Sequence, residues 1–325
     1  MSKIIFMGTP DFAEKSLRKL NESDNNDIIA VVTNTDKPRG RGMKLFQSPV
    51  KQYSIENNLK IYQPEKIKSN KDFIETLKEL EPDFICVVAY GKILPKEILD
   101  IPKYGCINVH ASLLPKYRGA APIQWAIING EEITGVTTMY MDTKMDTGDI
   151  ILEKEVRIGE DETTGELWNR LGDLGAELLL ETIERIKEGS APRKKQSDNY
   201  SMAPMLSKEI SKINWNKLQT RDIKNLVRGL NPIMGAYAIL NNKKIKFWKV
   251  DNINKGEFLN NYKVECDIDN LKPGYILYAN SKDGLFIKTR DGILSVLEIQ
   301  GENSKKMNIY DFLRGNRLEK GEIFV

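Results

Sequence analysis

The run Lys3-Ile-Ile-Phe-Met-Gly-Thr-Pro-Asp11 decides the fold class. Its apolar residues are consecutive, not alternating, as expected of a strand covered on both faces, and Gly8 ends them. Pro10 stands where a first helical turn tolerates proline, because the N–H it lacks would have no intrahelical partner there. A helix is therefore expected from Pro10 through about Leu20, and Ile28–Thr33 follows as a second buried strand. Strand, helix, strand implies a parallel sheet with crossover helices, an α/β and Rossmann-like architecture. The turn after the first strand is a poor dinucleotide cradle. The three glycine positions of a GxGxxG are held by Gly8, Pro10 and Ala13, and Pro10 offers no N–H to a pyrophosphate. A nicotinamide-dependent dehydrogenase is disfavoured on that ground.

Working outward, helices are expected over Ser48–Asn58, Asn70–Leu80, Pro95–Leu99 and Ala121–Ile128. Strands are expected over Asp83–Ala89, Gly105–His110, Gly135–Met141 and Ile150–Ile158. Asp36–Leu45 is too rich in Gly and Pro for a regular element, and Lys37, Arg39, Arg41 and Lys44 make it cationic: a solvated loop, or an arm reaching toward phosphate. Asp142-Thr-Lys-Met-Asp-Thr-Gly-Asp149 reads as a turn. Thr163-Thr-Gly-Glu166 is a capping box for a long helix, with Leu167, Leu171, Leu174 and Leu178 on one stripe and Gly189 as its C-terminal cap. Ser190–Ser207 is polar and without periodicity, so it reads as a linker. The expected organisation is a catalytic domain at 1–189, a linker at 190–207 and a second domain at 208–325. That second domain has one helix, Thr220–Leu230, then short strands at Ala236–Leu240, Lys243–Val250, Tyr275–Tyr278, Leu285–Thr289 and Ile293–Ile299, and a short helix near Ile309–Arg314. About five short strands suggest a small barrel of oligonucleotide-binding (OB-like) type.

The composition suits a soluble globular chain. A length of 325 residues exceeds one ordinary core. Three cysteines, Cys86, Cys106 and Cys266, include no CxxC pair, which argues against a disulfide scaffold or a zinc site and fits a reducing cytoplasm. The N-terminus lacks the long apolar core of a signal peptide, and the longest apolar run, Phe84–Tyr90, is too short to cross a bilayer. Charge is unevenly placed. Residues 204–325 carry 21 Lys and Arg against 14 Asp and Glu, a net +7, and the rest carry 28 against 32, a net −4. A basic second domain suits a polyanionic partner, though the same charge also serves as a soluble surface.

The chemistry converges on Tyr104-Gly-Cys-Ile-Asn-Val-His-Ala-Ser-Leu-Leu-Pro-Lys-Tyr-Arg-Gly-Ala-Ala-Pro122, because His110 is the only histidine in the chain. Asn108 and His110 are two apart on a strand, so their side chains leave the same face at its carboxyl end, where open parallel sheets bind ligands. An amide donor beside a protonatable donor suits a developing oxyanion, and an Asp on a facing loop, Asp146, would orient the imidazole. A lone histidine on an apolar strand is also at home as a satisfied core residue. Ser112 raises a Ser-His-Asp alternative, which lacks a Gly-x-Ser-x-Gly elbow. Metal hydrolysis would need more than one histidine. A non-enzymatic RNA-binding module would explain a barrel but leave Asn108 and His110 idle.

Asn108-Val-His-Ala-Ser-Leu-Leu-Pro-Lys-Tyr-Arg-Gly119 followed by Asp142-Thr-Lys-Met-Asp-Thr-Gly-Asp149 resembles the folate-dependent formyltransferases. Phe6-Met-Gly-Thr-Pro-Asp-Phe-Ala13, Asp36-Lys-Pro-Arg-Gly-Arg-Gly42, Val87-Val-Ala-Tyr-Gly91 and Gly119-Ala-Ala-Pro-Ile-Gln124 match that family in order, and the likeness runs from residue 4 onward. The basic loop and the second domain resemble its tRNA-directed members. The resemblance implies formyl transfer from 10-formyltetrahydrofolate to the α-amino group of methionine on initiator tRNA, by a cytoplasmic monomer with no metal. It places Asn108, His110 and Asp146 at the catalytic positions. Ser112, Leu113, Leu114 and Pro115 would hold the folate, with Val88, Ala89, Tyr90, Gly91 and Asp142 lining the same pocket. Arg41 would meet the tRNA acceptor end, with Lys37, Arg39 and Lys44 beside it. Arg39 stands where the family has a small residue, and Met234 where it has Pro. The rival within the family acts on a small amine, such as glycinamide ribonucleotide or an amino sugar.

Overall fold

The computed structural model describes residues 1–39, 44–262 and 267–325, with the side chains of Arg39 and Lys44 outside the description. Arg41 and Cys266 lie outside the described residues. The chain forms two compact units. The first comprises Met1–Pro122, Ile133–Arg157 and Leu167–Met205, and the second Ile123–Glu132, Ile158–Glu166 and Leu206–Val325.

Through residue 187 the elements are β1 (Ser2–Gly8), α1 (Asp11–Asn21), β2 (Asn26–Val32), β3 (Lys37–Arg39), β4 (Lys44–Phe46), α2 (Pro49–Glu56), β5 (Ile61–Tyr62), α3 (Lys71–Glu79), β6 (Phe84–Val88), α4 (Lys96–Leu99), β7 (Cys106–His110), α5 (Pro122–Ile128), β8 (Ile133–Tyr140), β9 (Ile150–Arg157) and α6 (Thr164–Lys187). Seven strands form one sheet in the order β5-β2-β1-β6-β7-β8-β9. The five from β5 to β7 are parallel, as the opening strand–helix–strand implies. Ile4, Ile5, Phe6 and Met7 have no exposed surface, which accounts for their unbroken apolar run. Helix α1 covers the sheet with Phe12, Ala13, Leu17 and Leu20.

The last two strands depart from the parallel expectation. β8 runs antiparallel to β7, with His110 opposite Thr137, and β9 runs antiparallel to β8. The connection between β8 and β9 is shorter than the dozen or so residues a parallel crossover requires, so the chain returns as a hairpin. Asp36–Leu45 was expected to be irregular, yet β3 and β4 pair antiparallel, Lys37 with Phe46 and Pro38 with Leu45. Proline is tolerated there because a two-stranded ribbon leaves alternate N–H groups pointing away from the partner. The capping box before α6 is present: Thr163 N–H donates to Glu166 Oε2 at 2.8 Å, and Glu166 N–H to Thr163 Oγ1 at 3.3 Å. Gly189 follows with φ +71°.

Residues 190–205 are held to the first unit. Lys194 exchanges both backbone hydrogen bonds with Ile150, at 2.8 and 2.9 Å, and Arg193 pairs with Asp149 at 2.7 Å.

The second unit contains α7 (Thr220–Gly229), β10 (Ala236–Leu240), β11 (Lys243–Ile253), α8 (Lys255–Tyr262), β12 (Ile276–Asn280), β13 (Gly284–Lys288), β14 (Ile293–Gln300), β15 (Met307–Asn308) and α9 (Ile309–Gly315). The strands form an antiparallel sheet in the order β10-β11-β14-β13-β12, with β15 on β14. Residues 322–325 bridge its two edges. Ile276 N–H donates to Glu322 O at 2.8 Å and Phe324 N–H to Gly274 O at 2.9 Å on the β12 side. On the other side Val325 and Ile239 exchange bonds at 2.9 and 2.7 Å. One short segment thus satisfies both edges and closes the sheet on itself. Phe324 packs inside against Phe247 and Trp215, at centroid distances of 5.4 and 6.1 Å. The β domain matches the sequence expectation; α8 and β15 were not foreseen.

Candidate active site

The winding of the first sheet creates the site. β1 has β2 on one side and β6 on the other, so the winding changes direction there, and open parallel sheets bind ligands beyond the carboxyl ends of the strands at such a point. Gly8 is paired with Val88, and Val88 with Val109, so the ends of β1, β6 and β7 lie side by side. Gly8 is needed for close packing: a Cβ there would lie 2.7 Å from the Ala13 side chain and 2.9 Å from the Val88 carbonyl.

His110 ends β7 and is 6% exposed. Its Nε2 lies 2.9 Å from the carbonyl oxygen of Tyr117. A carbonyl only accepts, so Nε2 carries a proton and donates it. Nδ1 faces Asp146 Oδ2 at 3.8 Å. With Nε2–H committed to the Tyr117 carbonyl, Nδ1 is the ring nitrogen left facing the carboxylate. Asn108 lies two residues earlier on the same face of β7, half-buried, and no partner among the described residues takes its carboxamide.

Asp146 is held in turn. Its Oδ2 accepts the Gly119 N–H at 2.8 Å, and its backbone has φ +53°, a left-handed conformation that Asp adopts more readily than most residues. Asp142 is engaged within the same turn: Oδ1 accepts from Lys144 N–H at 2.8 Å and Thr147 Oγ1–H at 2.7 Å. Gln196 Nε2 donates to the carbonyls of Asp146 and Gly148 at 3.0 and 2.8 Å. Gln196 Oε1 accepts from Arg118 Nε and Nη2 at 3.0 and 2.7 Å. The exposed Tyr200 ring lies 4.6 Å from the nearly buried Arg118 guanidinium.

Ser112, Leu113, Leu114 and Pro115 follow β7 directly. Ser112 is fully buried and its hydroxyl donates to the Lys116 carbonyl at 2.7 Å. Thr137 Oγ1 donates to the Ser112 carbonyl at 2.7 Å and accepts from Leu114 N–H at 3.1 Å. A Ser-His nucleophile pair finds no geometry, because the Ser112 hydroxyl and both ring nitrogens of His110 have other neighbours. At the end of β6, Val88 and Tyr90 are buried while Ala89 is exposed with φ +45° and Gly91 has φ +75°. The Tyr90 carbonyl accepts from Asn34 Nδ2 at 3.0 Å. The buried Tyr90 hydroxyl has no hydrogen-bond partner among the described residues, and burial pushes it up to about 12, so it stays a neutral donor.

Of the basic arm, Lys37 is exposed, and Arg39 and Lys44 are described by their backbone pairing alone. Burial, and then the nearby charge of Lys37, holds the Lys92 ammonium below the ordinary lysine value. Lys92 was not foreseen as part of this cationic edge. Nor were the roles of Tyr117, Arg118 and Gly119 or that of Gln196. The first three close the motif that begins at Asn108, but Gln196 sits in a polar stretch that carries no periodic signal. Among the described residues no group of three or more His, Cys, Asp and Glu side chains could hold a metal. No helix among the described residues is long and apolar enough to cross a membrane. Cys86 and Cys106 are buried and unpaired, and burial raises both thiols.

Residues 2–183 match the family described as formyl transferase, and residues 205–317 match formyl transferase, C-terminal domain. Similar proteins include methionyl-tRNA formyltransferases from Clostridium tetani, 49% identical over 99% of this chain and 99% of that protein, and from Clostridioides difficile, 50% identical over 98% of each. Among solved structures, the N-formyltransferase from Helicobacter canadensis in complex with folinic acid and dTDP-3-aminofucose superimposes with a TM-score of 0.62 at 23% identity, covering 93% of this chain and 100% of that one. HypX from Aquifex aeolicus in complex with tetrahydrofolic acid gives 0.59 at 17% identity, over 96% of this chain and 47% of that one. These two likenesses establish a shared fold.

Proposed function

Because the chain belongs to the formyl transferase family, we propose that it transfers a formyl group from 10-formyltetrahydrofolate to the α-amino group of methionine on initiator tRNA. The observation that carries the chemistry is the His110–Asp146 pair beside the Asn108 carboxamide at the carboxyl end of β7. Relatives named for the Met-tRNA reaction match along nearly the whole length, second unit included, which supports this substrate over a small amine.

The amine of an aminoacyl ester is a weak base and attacks the formyl carbon largely uncharged. As the carbonyl π pair moves onto oxygen, Asn108 Nδ2–H and the protonated Nδ1 of His110 donate to it. One such donor contributes ~3 kcal/mol to the transition state. Asp146 holds the charge of the ring and, directly or through water, takes the proton the amine sheds. That proton then leaves with the tetrahydrofolate nitrogen as the C–N bond to the donor breaks. Ser112–Pro115, Val88–Gly91 and the Asp142 turn form the folate side of the pocket.

Charge also supports the tRNA reading. Lys37, Arg39, Arg41 and Lys44 form the arm that meets the acceptor end. In the second unit, Lys244 Nζ lies 3.7 Å from the centre of the Tyr237 ring. Burial, and then the charge of Lys244, lowers the Lys246 ammonium, so like charges gather on this face of the β10–β11 pair. Such a surface suits phosphate, and tRNA affinity should fall steeply with added salt. An Arg41→Ala variant should bind tRNA more weakly while keeping its folate affinity.

The deciding experiment supplies the purified protein with 10-formyltetrahydrofolate and, in parallel tubes, charged initiator tRNA, glycinamide ribonucleotide and a nucleotide-linked amino sugar. Formyl appearing on the aminoacyl-tRNA supports the proposal. Formyl appearing only on a small amine overturns it.

A further inference from the structure

We infer that Gln196 is a positioning residue for this reaction, setting the distance between His110 and Asp146 by gripping Arg118 with its carboxamide oxygen and the Asp146–Gly148 turn with its carboxamide nitrogen. The inference rests on the reading of His110 and Asp146 as the working pair.

The tripeptide Tyr117-Arg118-Gly119 touches both members of that pair. The Tyr117 carbonyl accepts the His110 Nε2–H at 2.9 Å, and the Gly119 N–H donates to Asp146 Oδ2 at 2.8 Å. The tripeptide is fixed from behind by residues 201–203. Arg118 N–H donates to Ser201 O at 2.9 Å, Ala203 N–H donates to Arg118 O at 2.7 Å, and Tyr117 N–H donates to Ser201 Oγ at 2.9 Å. That arrangement leaves the turn of Asp146 to be fixed from its own side, which Gln196 does.

Both Gln196 N–H groups are spent on the turn, at the carbonyls of Asp146 and Gly148, and the oxygen takes two donors from one guanidinium. A planar amide thereby ties the tripeptide to the turn that carries the carboxylate. The residue type is informative. Glutamate at this position would bind Arg118 at least as well but would turn a negative oxygen toward two carbonyls. A residue that merely anchored Arg118 would tolerate that exchange, whereas a residue that positions the turn would not.

The test compares the wild type with Gln196→Ala and the isosteric Gln196→Glu, adding Gln196→Met to keep the side-chain volume if the alanine variant fails to fold. Formylation of charged initiator tRNA is measured as kcat and as KM for each substrate. Both Gln196→Ala and Gln196→Glu are expected to lose about tenfold to a hundredfold in kcat, the effect of a displacement on the order of 1 Å at reacting groups, with both KM values little changed. A second readout needs no turnover. His110 is the only histidine of the chain, so untagged protein gives a single set of imidazole CH signals by NMR. These should shift and broaden in the variants at an unchanged unfolding temperature.

Wild-type kcat in Gln196→Glu, a loss confined to KM, or an unmoved imidazole spectrum would overturn the inference. His110→Ala run alongside separates the two levels. If it is inactive while the Gln196 variants are wild-type, only the positioning role fails. If it is active, the reading of the pair fails and takes this inference with it.

Discussion

The backbone N–H of Gly119 donates to Oδ2 of Asp146 at 2.8 Å, and that same oxygen faces Nδ1 of His110 at 3.8 Å. One carboxylate oxygen therefore has a fixed neutral donor on one side and the titratable nitrogen on the other. The first keeps the carboxylate in place, and the second is where its charge acts. Replacing Asp146 by Asn keeps the shape, since the amide oxygen can still accept from Gly119, but removes the charge. We expect Asp146→Asn to lose about a hundredfold or more in kcat, the range for a proton-handling group, with folate and tRNA binding retained. Wild-type kcat would dismiss the carboxylate.

Gly119 itself should tolerate nothing larger. Its φ is +127°, and a Cβ built on it would lie 2.6 Å from the Ala203 carbonyl oxygen. Strain of this kind costs about 1–3 kcal/mol before the clash is counted. Gly119→Ala is expected to lower the unfolding temperature of the first unit and to abolish turnover together. An alanine variant as stable and active as the wild type would show that the 117–119 clamp is not needed.

The second unit offers an independent test of sheet closure. Phe324 is 1% exposed and sits between Phe247 and Trp215, on the segment that bridges β10 and β12. Phe324→Ala should cost about 3–5 kcal/mol in denaturant unfolding, as for other buried aromatics. A cost under about 1 kcal/mol would mean that closure contributes little.

A pH dependence follows from Lys224, whose side chain is 10% exposed and whose Nζ lies 2.6 Å from Asp161 and 2.8 Å from Asp251. Burial pushes the Asp251 carboxyl up, but hydrogen bonds from Lys224 and from the Asn252 N–H outweigh it, and the net direction is below the ordinary carboxylate value. A depressed folded value stabilises the protein above the unfolded carboxylate range near pH ~4. The contribution is lost as pH falls through the folded value. Asp251 is about half exposed, so screening limits the effect. Asp251→Asn should be less stable by about 0.5–1 kcal/mol at neutral pH, and the difference should close in acid. A deficit that persisted undiminished in strong acid would exclude the ion pair as its source.

The parts of the fold carried by continuous signals were legible in the sequence. The run Ile4–Met7, the leucine stripe of α6 and the Thr163–Glu166 box each express a periodicity or a cap within a few residues. Asn108 and His110 could be placed on one face because a strand alternates. What escaped was set by tertiary partners. The return of β8 and β9 as a hairpin depends on a short turn closed by Gly148, where a Cβ would collide with the Tyr140 carbonyl. The pairing of β3 with β4 is decided by a ladder, not by the composition of Lys37–Arg39. Helix α8 has a glycine and two asparagines in eight residues, so its local preference is weak, and it is started by Asn254 accepting from Gly256 N–H at 2.8 Å. Gln196 acts through residues 48 and 50 positions away, at Gly148 and Asp146, a relation no local pattern records.

The most direct test is the single-turnover rate of formyl transfer from 10-formyltetrahydrofolate to charged initiator tRNA in His110→Ala, with both substrates saturating and the fold verified by circular dichroism. Loss of the imidazole should slow the reaction by about a hundredfold or more while both substrates still bind. A variant that turns over at the wild-type rate would contradict the assignment of the chemistry to this ring.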